Sequence, residues 1–174
     1  MAKAVISTIG HDRPGLVSDI TAVATDLGLN IEDSRMTVLG GEFAVLMAVE
    51  GSDADLATFN TTLSELCSGR DLAYIYRPTR ERSDSAPTRP YTASVVAIDH
   101  PGIVHAIAVF FSARGINIRD LKTETTPAAH TGTPIFNVSL VAELPTNIKI
   151  HELKDAFDAF CADEDLDGQL QAER

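Results

Sequence analysis

The sequence predicts an α+β protein built from two similar βαββαβ units, each an antiparallel sheet with two helices on one face. Three observations predict this architecture. Two short motifs recur at one constant spacing, a segment rich in proline and arginine separates the copies, and both copies show the same order of strand-like and helix-like patterns. The length of 174 residues leaves room for two small domains.

The internal repeat rests on two matches in register. Asp12-Arg-Pro-Gly-Leu-Val17 returns as Asp99-His-Pro-Gly-Ile-Val104, and Gly28-Leu-Asn-Ile-Glu-Asp33 returns as Gly115-Ile-Asn-Ile-Arg-Asp120. Both matches have an offset of 87 residues, so nothing is inserted between them. A third match, Phe43-Ala-Val45 with Phe136-Asn-Val138, has an offset of 93 and places about six extra residues between 120 and 136. That stretch has the prolines and glycine of a turn, so we expect a longer hairpin loop there.

The first half of the first copy predicts a strand and a helix. Residues 3–9 are rich in β-branched side chains, which favour a strand. Pro14 suits the first turn of a helix, and Gly28 suits its end because glycine adopts a left-handed conformation without strain. Between them the apolar residues fall on one helical face: Leu16, Val17, Ile20, Val23, Ala24 and Leu27.

The second half of the copy predicts a hairpin, a helix and a last strand. Residues ~30–39 and ~42–50 are two strands joined at Gly40-Gly41, a dipeptide typical of tight hairpins. Asp53 is predicted to cap the second helix. The apolar side of that helix is Leu56, Phe59, Leu63 and Leu66. Leu72-Ala-Tyr-Ile-Tyr76 is the fourth strand.

The second copy repeats these elements. Tyr91–Ile98 is its first strand, and residues ~147–161 form its second helix. The apolar face of its first helix is Ile103, Val104, Ile107, Phe110 and Phe111. Arg114 stands where Leu27 ends the first stripe, so we expect an exposed helix end whose dipole suits a cation. The final strand is the least clearly marked, because the segment 163–168 is strongly acidic.

The predicted domains are residues 1–79 and 91–174, with residues 80–90 as an extended linker. Ferredoxin-like units of about 80 residues bury only about 60% of their unfolded surface, so we expect each sheet to need a partner on its open face or edge. The edge strand at residues 31–39 is available to a second chain, and a homodimer is expected.

The composition excludes several classes of protein. A formal net charge of -11 opposes direct binding of nucleic acid. No apolar run approaches the roughly 20 residues that cross a membrane. Cys67 and Cys161 lie near equivalent helix ends, which indicates small buried side chains and no disulfide framework. With no signal-peptide pattern, a cytoplasmic protein is expected.

No pattern of residues indicates catalysis. The sequence has no Gly-x-Ser-x-Gly nucleophile motif, no phosphate-binding Gly-x4-Gly-Lys and no His-x3-His pair with metal-ligand spacing. We therefore expect no enzyme activity, no metal and no cofactor.

The repeated Pro-Gly turn is the candidate binding site. The first N–H groups of a helix lack partners and the helix dipole is positive there, which suits a carboxylate. Gly15 lets a ligand approach the backbone, while Asp12, and Asn30 if it returns near the turn, would hold an ammonium group. The predicted site residues are Asp12, Pro14, Gly15, Leu16 and Asn30, repeated as Asp99, Pro101, Gly102, Ile103 and Asn117.

A purely structural interpretation of the same residues stays open. Asp12 would cap the helix, Gly15 would satisfy the turn, and Asn30 would bond to nearby backbone groups.

The Asp-x-Pro-Gly-Leu/Ile-Val turn after a first strand, followed by Gly-x-Asn-Ile, resembles the ACT domain family of small regulatory modules that bind amino acids. Both copies carry the motif and together cover nearly the whole chain outside the linker. The resemblance implies two ACT-like domains, an amino acid bound at the Pro-Gly turn at an interface between two domains, and a non-enzymatic regulatory protein.

The resemblance further implies that such a protein lowers transcription of genes for amino-acid catabolism. Its acidity favours action through a DNA-binding regulator protein, not on DNA itself. Two alternatives stay open. One is an assembly module that has lost ligand binding. The other, less favoured, is a part of an enzyme such as formyltetrahydrofolate deformylase, whose formyl-transfer domain has no counterpart after residue 90.

Overall fold

The computed structural model describes residues 1–80 and 87–173. The chain divides into two compact units, Met1–Ser83 and Asp84–Arg174. Most of the predicted linker, residues 80–90, lies outside the described residues, and the strand that opens the second unit begins at Thr88. The predicted domain boundaries therefore remain a prediction.

Both units contain the predicted order of elements. The first unit consists of β1 (Ala2–His11), α1 (Leu16–Asp26), β2 (Asn30–Leu39), β3 (Glu42–Gly51), α2 (Asp53–Ser68) and β4 (Ala73–Thr79). The second consists of β5 (Thr88–Ile98), α3 (Ile103–Ser112), β6 (Asn117–Pro127), β7 (Pro134–Pro145), α4 (Ile150–Asp163) and β8 (Asp167–Ala172).

Each unit contains one antiparallel sheet of four strands, in the order β2-β3-β1-β4 or β6-β7-β5-β8. Buried residues alternate with more exposed ones along the central strands β1 and β5, because the helices cover one sheet face and leave the other open. The predicted fold class, two ferredoxin-like βαββαβ units with helices on one face, is confirmed.

The two hairpins differ as the repeat offsets predicted. Gly40 and Gly41 have φ of 61° and 90°, as a two-residue turn between twisted strands requires. The corresponding loop between β6 and β7 spans residues 128–133 and includes Gly132 at φ 70°. The insertion therefore lengthens the loop and leaves both strands in place.

The helix starts differ from the sequence prediction. Pro14 does not open α1; the helix begins at Leu16, because Gly15 is left-handed and cannot lie in the helix. Asp53 does not cap α2 either. Ser52 is in extended conformation and its hydroxyl accepts a hydrogen bond from the Asp55 N–H at 3.1 Å, which makes Ser52 the cap.

Two residues predicted for the buried stripes face solvent instead. Val17 is 42% exposed and Val104 is 37% exposed, whereas the residues just before them, Leu16 and Ile103, are buried. A helix that has only just begun buries one of two adjacent apolar residues, because they point about 100° apart. Arg114 meets its prediction: its Nη1 donates to the Phe110 carbonyl at 2.8 Å, and its guanidinium lies 3.8 Å from the Phe110 ring centroid.

Each unit has its own hydrophobic core. Four phenylalanines of α3 and α4 form an aromatic cluster in the second core, with ring centroids 4.9–6.1 Å apart: Phe110, Phe111, Phe157 and Phe160. The first core has no such cluster among its described residues.

One pair of positions shows how the cores diverged. Leu63 on α2 accompanies Tyr74 on β4 in the first unit, and the equivalent positions in the second hold Phe157 on α4 and Gly168 on β8. A Cβ on Gly168 would lie 3.0 Å from Cε1 of Phe157 and would also collide with the Cys161 sulfur. The aromatic ring is therefore supplied by the strand in one unit and by the helix in the other.

The two cysteines are buried at equivalent positions near the helix ends, and neither forms a disulfide. This confirms the prediction of small buried side chains. Burial raises the pKa of the Cys67 thiol, and it raises the pKa of Cys161 to about 11, with smaller contributions from the charges of Asp158 and Asp167.

Thr8 is expected to be a weak point of the first core. It is 1% exposed and its hydroxyl has no hydrogen-bond partner, whereas the second unit has Val95 at the equivalent position. Because an unsatisfied buried polar group costs about 1–3 kcal/mol, Thr8→Val should raise the free energy of unfolding of the first unit by about 1 kcal/mol. Urea denaturation measures it. Thr37→Val, on the exposed face of β2, is the matched control and should change stability by less than about 0.5 kcal/mol. A destabilised Thr8→Val protein would contradict the assignment.

Candidate functional site

The two Pro-Gly turns have the same backbone geometry. Gly15 has φ 94° and ψ -10°, and Gly102 has φ 106° and ψ -17°; each is the residue before the first helical turn. At such φ values a side chain is strained, so both positions require glycine. No side chain of either glycine position caps the helix, which leaves the first N–H groups of α1 and α3 without that partner.

The same contact anchors both turns to their sheets. The Asp12 N–H donates to the Gly41 carbonyl at 3.0 Å, and the Asp99 N–H donates to the Pro134 carbonyl at 3.1 Å. Each turn therefore lies at the hairpin end of its sheet. The side chain of Asp12 forms no hydrogen bond or ion pair with another described residue, so the alternative in which Asp12 caps α1 is wrong.

The space around the glycines is open. A Cβ on Gly102 would meet no atom within 4 Å, and one on Gly15 would meet only Oδ2 of Asp19, at 4.0 Å. Leu16 and Ile103 are each 2% exposed, so their side chains hold the helix starts in the core. They can therefore contribute to a site only through their backbone N–H groups.

Charge distinguishes the two turns, and sequence reasoning missed it. Asp19 lies in the first turn of α1 and forms an ion pair with Arg70, which follows α2. The equivalent of Asp19 in the second unit is Ala106. A carboxylate ligand at the first turn would meet the negative charge of Asp19, partly offset by Arg70, whereas the second turn has no acidic residue in the first turn of its helix. The signal was present in the sequence as an acidic residue four positions after Gly15.

The asparagines lie far from the turns. Asn30 pairs with Glu50, which pairs with Lys3 at the start of β1, whereas the turn follows His11 at the other end of that strand. Eight residues of strand separate Lys3 from His11, a distance of about 27 Å. Asn117 occupies the same place in the second unit, where its Nδ2 donates to the Glu143 carboxylate at 2.9 Å. The expectation that Asn30 returns near the turn of its own unit is therefore wrong.

The structure thus brings together four predicted site residues in each unit and leaves out the fifth. The first set is Asp12, Pro14, Gly15 and Leu16, and the second is Asp99, Pro101, Gly102 and Ile103. Each set offers a short run of amide donors with one carboxylate close in sequence, an arrangement that suits a zwitterion and supplies no nucleophile.

Two further searches cover only residues 1–80 and 87–173. Within these ranges no three histidine, cysteine or acidic side chains are grouped closely enough to hold a metal ion. Nor is any helix there long and apolar enough to span a bilayer.

Known proteins resemble this chain in sequence and in fold. Residues 3–74 match the family model for the ACT domain. The glycine cleavage system transcriptional repressor of Escherichia coli K12 is 31% identical over 170 residues, which cover 95% of this chain and 87% of the repressor. A crystal structure of a proposed glycine cleavage system transcriptional repressor has a TM-score of 0.75 at 26% identity and covers 99% of this chain and 98% of its own. A protein of Galdieria sulphuraria described as unknown has a TM-score of 0.80 at 26% identity and covers 99% of both chains.

Proposed function

Since the chain belongs to the ACT domain family, as a two-unit relative of the glycine cleavage system transcriptional repressor, we propose that it binds an amino acid and regulates transcription of amino-acid metabolism through a protein partner. Its similarity to that repressor supports a regulatory role. The finer parts of the proposal, the ligand and the partner, rest on the two turns and on the charge of the chain. We place the protein in the cytoplasm, as its relation to a bacterial transcriptional regulator suggests.

The observation that carries the ligand proposal is the likeness of the two turns. Both present uncapped helix N–H groups beside a glycine that is kept in a left-handed conformation. The α-carboxylate of an amino acid would accept hydrogen bonds from these amides, and Asp12 or Asp99 would bind its ammonium group. Catalysis has no part in this proposal.

The two turns should bind with unequal affinity. Asp19 places negative charge near Gly15, whereas Ala106 leaves the surroundings of Gly102 uncharged at that position. We therefore propose the turn at Gly102 as the tighter site.

Regulation would follow from differential affinity. A ligand that binds one arrangement of the protein more tightly shifts the population toward it, and a coupling of about 1–3 kcal/mol is enough to change the affinity for a partner. The net charge of -11 makes a basic or DNA-binding protein a better partner than DNA. We also propose that the chain acts as a homodimer.

Isothermal titration calorimetry of the full chain against each of the common amino acids tests the ligand proposal. We expect saturable heat with at least one of them. Gly102→Val adds bulk and strain at the turn and should weaken the tighter site at least about tenfold. Gly132→Val is the matched control, because Gly132 has a similarly positive φ of 70° and open surroundings in the β6–β7 loop; it should leave binding unchanged.

Two outcomes would overturn the ligand proposal. One is no heat with any amino acid from a folded protein, which would favour the assembly module instead. The other is binding that survives both Gly102→Val and the corresponding change at Gly15.

A further inference from the structure

The face of the first sheet that no helix covers, here called the open face, has an apolar centre. Its large side chains are strongly exposed: Ile75 is 60% exposed, Leu46 51% and Ile9 50%. Val5 lies between them, in the strand row next to Leu46. Neighbouring exposed apolar side chains of this kind mark interaction surfaces, whereas single ones do not.

The second sheet has no such centre, although its backbone is equivalent. The strand registers place Ser139 at the position of Leu46, Gln169 at the position of Ile75, and Thr92 at the position of Val5. The fold therefore tolerates polar residues at all three positions. The apolar open face is a property of the first unit and is not required for its stability.

Charges of opposite sign flank this apolar centre. Arg77, Val5, Ala48 and Asp33 form one row across the sheet, with Arg77 on the edge strand β4 and Asp33 on the edge strand β2. Three strand spacings, about 14 Å, separate the two charges, so they cannot pair within one unit. Asp33 contacts Arg35 at 2.5 Å, and Arg77 has no ion pair with another described residue. A hollow lies on each side of Val5 and Leu46; Arg77 borders one, and Asp33 borders the other.

This pattern is self-complementary, and we propose that the open face of the first unit is the homodimer interface, with Arg77 of each chain facing Asp33 of the other. Two sheets that pack face to face are aligned to within about 30°. A two-fold axis that runs along the strands between them reverses the strand order, so β4 of one chain lies opposite β2 of its partner. Residues of the same row then face each other. The interface has two Asp33–Arg77 ion pairs around a centre of Ile75, Leu46, Ile9 and Val5.

Pairing along the sheet edge is the other way to form a dimer, and the edge strands disfavour it. The pairing of β2 with β3 shifts register between Ile31 and Asp33, and that of β6 with β7 shifts between Ile118 and Asp120. Such a bulge bends an edge strand and discourages an incoming strand. The open face has no comparable obstacle.

Sedimentation equilibrium of the full chain without ligand tests this inference independently of amino-acid binding. We expect a dimer. Leu46→Ser and Ile75→Gln, which copy the second unit, should together weaken it about a hundredfold, because each replacement occurs twice at the centre of the interface. Val109→Ser on the exposed side of α3 is the control and should leave the dimer intact, since Val109 is 48% exposed but lies on a helix. Circular dichroism checks that each variant is folded.

A charge exchange tests the facing residues. Asp33→Arg or Arg77→Asp alone should weaken the dimer about tenfold, and the double variant Asp33→Arg/Arg77→Asp should restore most of the loss, because the pairs re-form with reversed polarity. A chain that is monomeric at all concentrations, or a dimer indifferent to Leu46→Ser/Ile75→Gln, would overturn the proposal. Losses from the two single charge changes that simply add in the double variant would overturn the proposed facing of Arg77 and Asp33.

Discussion

Replacing Phe59 by alanine is expected to lower the free energy of unfolding of the first unit by about 3–5 kcal/mol, the usual cost of removing a buried phenylalanine ring. Phe59 is fully buried on α2. The two cores share no residue, so the second unit should keep its stability. Hydrogen exchange resolved by peptide mass spectrometry in increasing urea measures each unit in the same sample.

Phe111→Ala is the matched variant in the second unit. Phe111 is also fully buried, and its loss should lower protection in residues 88–172 while residues 2–79 keep theirs. If either variant lowered the protection of both units equally, the two units would unfold as one cooperative body and the predicted two-domain organisation would be wrong.

The second large effect is expected at Gly168. Gly168→Tyr places a ring where Phe157 and Cys161 already fill the space, and we expect a loss of more than about 3 kcal/mol from this overpacking. Phe157→Leu alone should cost about 1–2 kcal/mol. The double variant reproduces the Leu63–Tyr74 pair of the first unit, and it should be more stable than Gly168→Tyr by about 1–3 kcal/mol.

A double-mutant cycle by chemical denaturation measures this coupling. Phe160→Leu combined with Gly168→Tyr is the control, because the side chains nearest to a Cβ on Gly168 belong to Phe157 and Cys161. Equal rescue by Phe160→Leu, or no rescue by Phe157→Leu, would show that the two pairs are not interchangeable solutions to the same packing problem.

The sequence was sufficient for the fold because the repeat supplied each element twice. The hairpin at Gly40-Gly41, the helix end at Gly28 and the longer second loop all followed from glycine placement and from the offsets. Local competition at the helix starts was harder to predict. Ser52 and Asp53 are both good caps, and only the extended backbone of Ser52 decides between them.

The candidate site was predictable in part. The Pro-Gly turns are local, so the motif alone located the glycines and the uncapped amides. Asn30 is different, because its distance from the turn depends on the register of β2 against β3, and register is a tertiary property that a motif does not record. The charge difference between Asp19 and Ala106 was visible in the sequence, but its meaning required knowing that Asp19 approaches the turn.

The buried thiols make each unit report on itself. Alkylating reagents and disulfide exchange attack the thiolate, and burial keeps Cys67 and Cys161 protonated at neutral pH. Neither sulfur reacts until its own helix end opens, so the rate at which each cysteine is modified measures how often that unit opens. The same protection keeps both thiols out of reach of cellular oxidants for as long as the protein is folded.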